Sequence, residues 1–171
     1  MKAFVGFVLC LIILSWGTAR IINNITFGID CDGHMKRAAD ANSVELAMQE
    51  MRTVVSYLES NGMTSGYTSI LYRTPDEDVG FWYKNLKASL QELEAISPQA
   101  TPLEKSNVLI KLRETLTHKT KESGEITVPS GISIYPHNRA FMWGGVISFI
   151  AGAIGFIFLV AGSGWQLRYR Y

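Results

Sequence analysis

FMWGGVISFIAGAIGFIFLVAG, residues 141–162, runs for 22 positions without a charged side chain. A bilayer core of ~30 Å needs about 20 apolar residues at ~1.5 Å rise each. Trp165, Arg168, Tyr169, Arg170 and Tyr171 follow, and aromatic rings with arginine collect where hydrocarbon meets water. The stretch therefore reads as a membrane helix over 141–164 with a short tail, 165–171.

A second apolar segment, Ala3 to Ala19, opens the chain, with Lys2 before it and Trp16 near its far end. It reads as a membrane anchor over 1–22. The alternative is a secretory signal cleaved after Ala19, which has small residues at Gly17 and Ala19. The apolar run exceeds the usual ~7–15 residues of a signal core, which favours a retained span.

Between these ends the chemistry changes. All 15 acidic residues fall between Asp30 and Glu125. From Arg20 to Ala140 there are 13 Lys and Arg, giving that middle a net charge of −2. No basic footprint for nucleic acid exists there, so that class is excluded. A loop of this length crosses a membrane largely regardless of its charge. Lys2, Arg168, Arg170 and the export-like start put both ends in the cytoplasm and residues 23–140 outside, in a plasma (inner) membrane.

The middle carries helix punctuation. Asn23 to Gly33, with Asn, Asp and two glycines, predicts a break after the first span. One amphipathic helix is then expected from His34 to the Asn61-Gly62 stop, its stripe formed by Ala41, Val44, Met48, Met51, Val55 and Leu58. Gly62 to Arg73 is too apolar to float and is expected to pack over the bundle end. Thr74-Pro75-Asp76-Glu77 reads as a capping box opening a second helix, with Val79, Tyr83, Leu86, Leu90 and Leu93 inward and Ser97-Pro98 ending it. Thr101-Pro102-Leu103-Glu104 repeats the device for a third, shorter helix bearing Val108, Leu109, Leu112 and Leu116. Lys119 to Gly124 is polar. Ile126, Val128, Ile132 and Ile134 around Pro129-Ser130-Gly131 predict two short strands or an extended return. The expected fold is mainly α: two transmembrane helices flanking an extracytoplasmic antiparallel three-helix bundle with a short extended or β segment.

No catalytic signature is present, neither a zinc-protease helix, nor a nucleophile elbow, nor a phosphate loop, nor paired cysteines. No catalytic, cofactor-binding or metal residue is assigned, and no cofactor is expected. Cys31 and His34 form a C-x-x-H, but two ligands do not close a tetrahedral site. His118 and His137 stand far from them in sequence. Cys31 is a lone thiol, read as buried or bonded to another chain.

Two candidate patches remain. Tyr72, Phe81, Trp82 and Tyr83, beside Asp76, Glu77 and Asp78, offer aromatic rings with acidic neighbours, suited to a ligand or partner. Core packing explains most of the same rings. Gly80 lies inside the expected helix, where glycine costs ~1 kcal/mol relative to alanine, and so points to a close approach. In the last span Gly144, Ser148 and Gly152, with Gly155, form a small-residue face that lets helix backbones approach in lipid. Gly6 and Cys10 give the first span a similar face. The expectation is a non-enzymatic interaction or accessory subunit with partners in the bilayer, as a homo-oligomer or a membrane-protein complex. The alternative is a sensor-like small-ligand module without its own output domain.

Overall fold

The computed structural model describes residues 2–117 and 126–168, with backbone alone over 162–168. The polar connector over 119–124, His118, and the anchoring side chains of Trp165, Arg168, Tyr169, Arg170 and Tyr171 lie outside the described residues. The chain divides into two compact units, Met1–Asn24 with His137–Tyr171, and Ile25–Pro136.

The first unit is built from α1 (Lys2–Phe27) and α6 (Asn138–Arg168). Both are long and apolar enough to cross a membrane. Only 6% and 17% of their most apolar windows are buried, unlike the core helices of a soluble protein. Phe4, Leu14, Phe149 and Phe156 are each more than 60% exposed, an arrangement that costs nothing against hydrocarbon and much against water. The helices run antiparallel: Trp16 lies at Gly144 and Gly145, Ile13 at Gly152, and Gly6 at Gly155.

Among its described residues the second unit contains four α-helices. A π-turn, Gly28–Asp32, follows α1 without interruption and leads into α2 (Gly33–Asp40). The break expected over 23–33 is therefore absent. Gly33 holds an ordinary right-handed conformation, and its N–H donates to the Gly28 carbonyl, five residues back. Glycine permits a turn without enforcing one, and tertiary packing of Cys31 and Met35, both fully buried, keeps the segment helical.

The chain breaks instead at Ala41, whose ψ of 139° is extended. Ser43 then caps α3 (Val44–Ser60) by accepting from the Leu46 N–H at 3.3 Å. The single long helix expected from His34 to Asn61 is thus two. The stripe residues on α3 pack as expected, with Val44, Met51, Val55 and Leu58 buried and Met48 partly so, while Ala41 at the kink is partly buried. Arg113 donates to the Ala39 carbonyl at 2.9 Å, satisfying an acceptor that the end of α2 leaves open.

α4 (Val79–Glu94) and α5 (Pro102–Leu116) complete the unit. The second capping box forms in full: Thr101 accepts from the Glu104 N–H, and Glu104 accepts from the Thr101 N–H at 2.7 Å. The first does not. Thr74 precedes a single 3₁₀ turn, Pro75–Glu77, and its hydroxyl donates to the Glu77 carboxylate. Asp78 caps α4 instead, accepting from the Phe81 N–H at 2.9 Å. All five stripe residues assigned to α4 are buried.

The return segment passes as extended chain and a 3₁₀ turn, Ile132–Ile134, entered through Gly131 at φ +73°. Ile126, Ile132 and Ile134 are buried, and Ile126 makes one isolated bridge to Thr117. No sheet forms among the described residues.

Candidate functional site

The aromatic run over 81–83 divides by helix geometry. Trp82 and Tyr83 point inward and are 8% and 9% exposed, while Phe81 is 63% exposed. Trp82 donates its indole N–H to the Thr127 carbonyl at 2.9 Å, pinning the return segment. Tyr83 donates to Glu59 at 2.5 Å, and Lys87 donates to both, at 3.0 Å to the Tyr83 oxygen and 2.9 Å to Glu59. The Tyr83 and Glu59 oxygens raise the affinity of Lys87 for its proton, while hydrogen bonds from Tyr83 and Lys87 hold the Glu59 carboxyl below its usual range. These two rings are spent on structure. They do not share a surface with Phe81 and Tyr72.

Tyr72 belongs to a loop between α3 and α4. Thr68 N–H donates to the Glu77 carbonyl and Val79 N–H to the Gly66 carbonyl, at 3.0 and 2.9 Å, closing residues 69–76 at their base. Gly66, at φ +95°, allows the turn, and the Tyr135 hydroxyl donates to the Ser65 carbonyl beside it. Gly80 is where this loop base meets α4: a Cβ there would lie 3.3 Å from the Ser65 Cα. Met63 and Thr68 are buried beneath, so the base of the connector packs as its composition implies. Its tip does not. Leu71 and Tyr72 are each 79% exposed.

A second polar constellation lies on α2 and α3, and only its Cys31–His34 pair stood out in the sequence. Glu50 accepts from Arg37 at 2.9 Å and meets His34 Nδ1 at 2.6 Å. Burial pushes the Glu50 carboxyl up, but hydrogen bonds from His34 and Arg37 outweigh it and hold the group below its usual range. Cys31, three residues before His34, is fully buried. Its thiol is pushed up to about 12 by burial and by the carboxylates of Asp32 and Asp30. A metal would need the thiolate, and the fold opposes it. Among the described residues no group of three His, Cys, Asp or Glu is placed to hold a metal ion. The signal for the cluster was the i, i+3 spacing of His34 and Arg37; its partner Glu50 lies beyond the kink.

In the first unit, the small-residue face of α6 lies against α1. A Cβ on Gly155 would stand 2.8 Å from the Gly6 carbonyl oxygen and 3.2 Å from the Cys10 nitrogen. Gly152 meets Ile13, Gly144 meets Trp16, and Ser148 is buried. The Trp16 indole donates to the Phe141 carbonyl at 3.1 Å.

The chain matches no family model, no curated protein and no solved structure.

Proposed function

We propose that this chain is a non-enzymatic, membrane-anchored interaction or accessory subunit, held in a plasma (inner) membrane by α1 and α6, with the helical unit outside and both ends in the cytoplasm. The helical unit engages a protein partner through the 69–76 loop and Phe81, and the assembly is a homo-oligomer or a larger membrane complex. The observation that carries this reading is the exposure of Leu71 and Tyr72, 79% each, on a loop whose base is tied by backbone hydrogen bonds. Large apolar side chains held out on an ordered loop are the usual anchors of an interface. The sensor-like alternative loses its aromatic pocket, because Trp82 and Tyr83 serve the core.

Photocrosslinking in the native membrane tests the reading. A benzophenone side chain at Tyr72 is expected to give a discrete adduct with a second polypeptide. One at Lys105, on α5, is expected to give none. No adduct from position 72, or the same adducts from both positions, overturns it.

A further inference from the structure

A pocket of about 500 Å³ opens where the π-turn faces α3, lined by Asp30 and His34 on one side and by Arg52, Thr53, Ser56, Tyr57 and Ser60 on the other. It is a shallow depression open to solvent, with Asp30, Arg52, Thr53, Ser56 and Ser60 exposed. π-Turns recur at functional sites because they re-aim side chains that a regular helix would place elsewhere.

The lining carries opposite charges with unspent hydrogen-bonding capacity. Arg52 gives its Nε–H to Glu94 at 2.9 Å, and among the described residues its terminal nitrogens have no hydrogen-bond partner. Asp30 forms no ion pair among the described residues. The Ser60 hydroxyl donates to the Tyr57 carbonyl at 2.9 Å and Thr53 to the Gln49 carbonyl at 3.3 Å. The Thr53 oxygen is therefore left as an acceptor, and the Ser60 oxygen, which already accepts from Asn61 Nδ2 at 3.3 Å, keeps one lone pair. His34 Nδ1 lies 2.6 Å from Glu50 and 2.8 Å from Arg37, which leaves Nε2 as its remaining contact atom. Tyr57 is held by an edge-on contact with Phe27, ring centroids 6.1 Å apart. Apart from that ring the lining offers no apolar side chain wider than the Thr53 methyl, which argues against an apolar ligand.

We propose that this pocket binds a small zwitterion, its ammonium taken by Asp30 with the Thr53 and Ser60 oxygens, its carboxylate or phosphate taken by the terminal nitrogens of Arg52. The shared chemistry is an ammonium and an oxyanion in one compact molecule. A free amino acid and a phosphoethanolamine headgroup both present it. The site goes beyond the partner surface proposed above, since it uses neither the 69–76 loop nor Phe81.

Calorimetry on the full chain in detergent, titrated in turn with glycine, L-alanine and phosphoethanolamine, tests the site. A parallel arm compares the chain in nanodiscs of phosphatidylcholine with and without phosphatidylethanolamine. Saturable binding is expected for at least one probe, weakened about tenfold or more by D30N and by R52Q, as for loss of one charge-assisted contact. Glu94→Gln breaks the same bridge to Arg52 outside the pocket and is expected to leave binding unchanged. Binding by phosphoethanolamine alone, competed by phosphatidylethanolamine discs, assigns a lipid headgroup; binding by glycine or alanine assigns a solute. No saturable binding by any probe to a chain with its parent melting temperature overturns the site. So does binding that survives both D30N and R52Q, or falls equally with E94Q.

Discussion

Asp78, not Thr74, holds the start of α4, because the prolyl turn over 75–77 delays the helix and moves the capping position four residues along. The two threonines that looked equivalent in sequence are therefore expected to differ. Thr101→Ala and Asp78→Ala each remove a side-chain cap and are expected to cost about 1 kcal/mol. Thr74→Ala removes only a surface hydrogen bond and is expected to change the urea midpoint little. Equal losses for Thr74 and Asp78 would contradict this. Cys31 was read as buried or bonded to another chain, and burial is the outcome: the thiol is fully enclosed in the core of the second unit. In a Cys10→Ser background, maleimide is expected to leave Cys31 unmodified under native conditions and to label it after denaturation, read by intact mass. Glu50 sets an acid limit of its own. Its carboxyl titrates below the ordinary value of 4.5 in the folded chain. The pairing therefore stabilises the fold above that value and is lost as pH falls through the lowered one. Glu50→Gln is expected to flatten the decline in melting temperature below about pH 4.5 relative to the parent.

At the level of elements, hydrophobic periodicity carried furthest where a helix has one wet face. The stripe of α4 was legible residue by residue, and the Thr101 box fixed the start of α5. The junction over 23–43 was not legible, for an identifiable reason. Glycine, asparagine and aspartate lower helix propensity by under or about 1 kcal/mol each, which burial of Cys31 and Met35 in the core outweighs. The true kink at Ala41 was signalled by Asn42-Ser43, a turn former before a capping residue, and by the stripe itself, which began only at Ala41 although the helix was expected from His34. The close pair Gly6 and Gly155 gives an element-scale test. A Cβ at Gly155 meets backbone atoms that have no rotamer to change. Gly155→Leu is expected to part the helices, whereas Gly17→Ala has open space and is expected to be silent. The readout is the Trp16 indole N–H, whose bond to Phe141 slows its exchange with water in the parent. Fast exchange is expected only in Gly155→Leu; slow exchange in both would show that the pair is not held by this contact.

For the whole molecule, two helices able to span a bilayer follow from counting apolar residues, while the partition of the middle into four helical segments needed side-chain packing. Tyr83 was legible as inward from the stripe of α4, whereas composition alone did not tell exposed Phe81 from buried Trp82 beside it. The proposed topology predicts that, in a chain lacking native cysteines, Ser97→Cys reacts with an impermeant thiol reagent on intact cells and Gln166→Cys does not. The reverse pattern would invert the orientation. The tied base of the 69–76 loop has a further consequence, for how this chain can change. Lengthening a loop already closed at its neck costs only about 0.6 kcal/mol per doubling, and none of the buried side chains beneath has to move. Insertions, epitope tags or wholesale replacement of Leu71 and Tyr72 should leave a folded scaffold behind. The partner preference proposed for that tip can thereby be changed while the helices under it remain as they are.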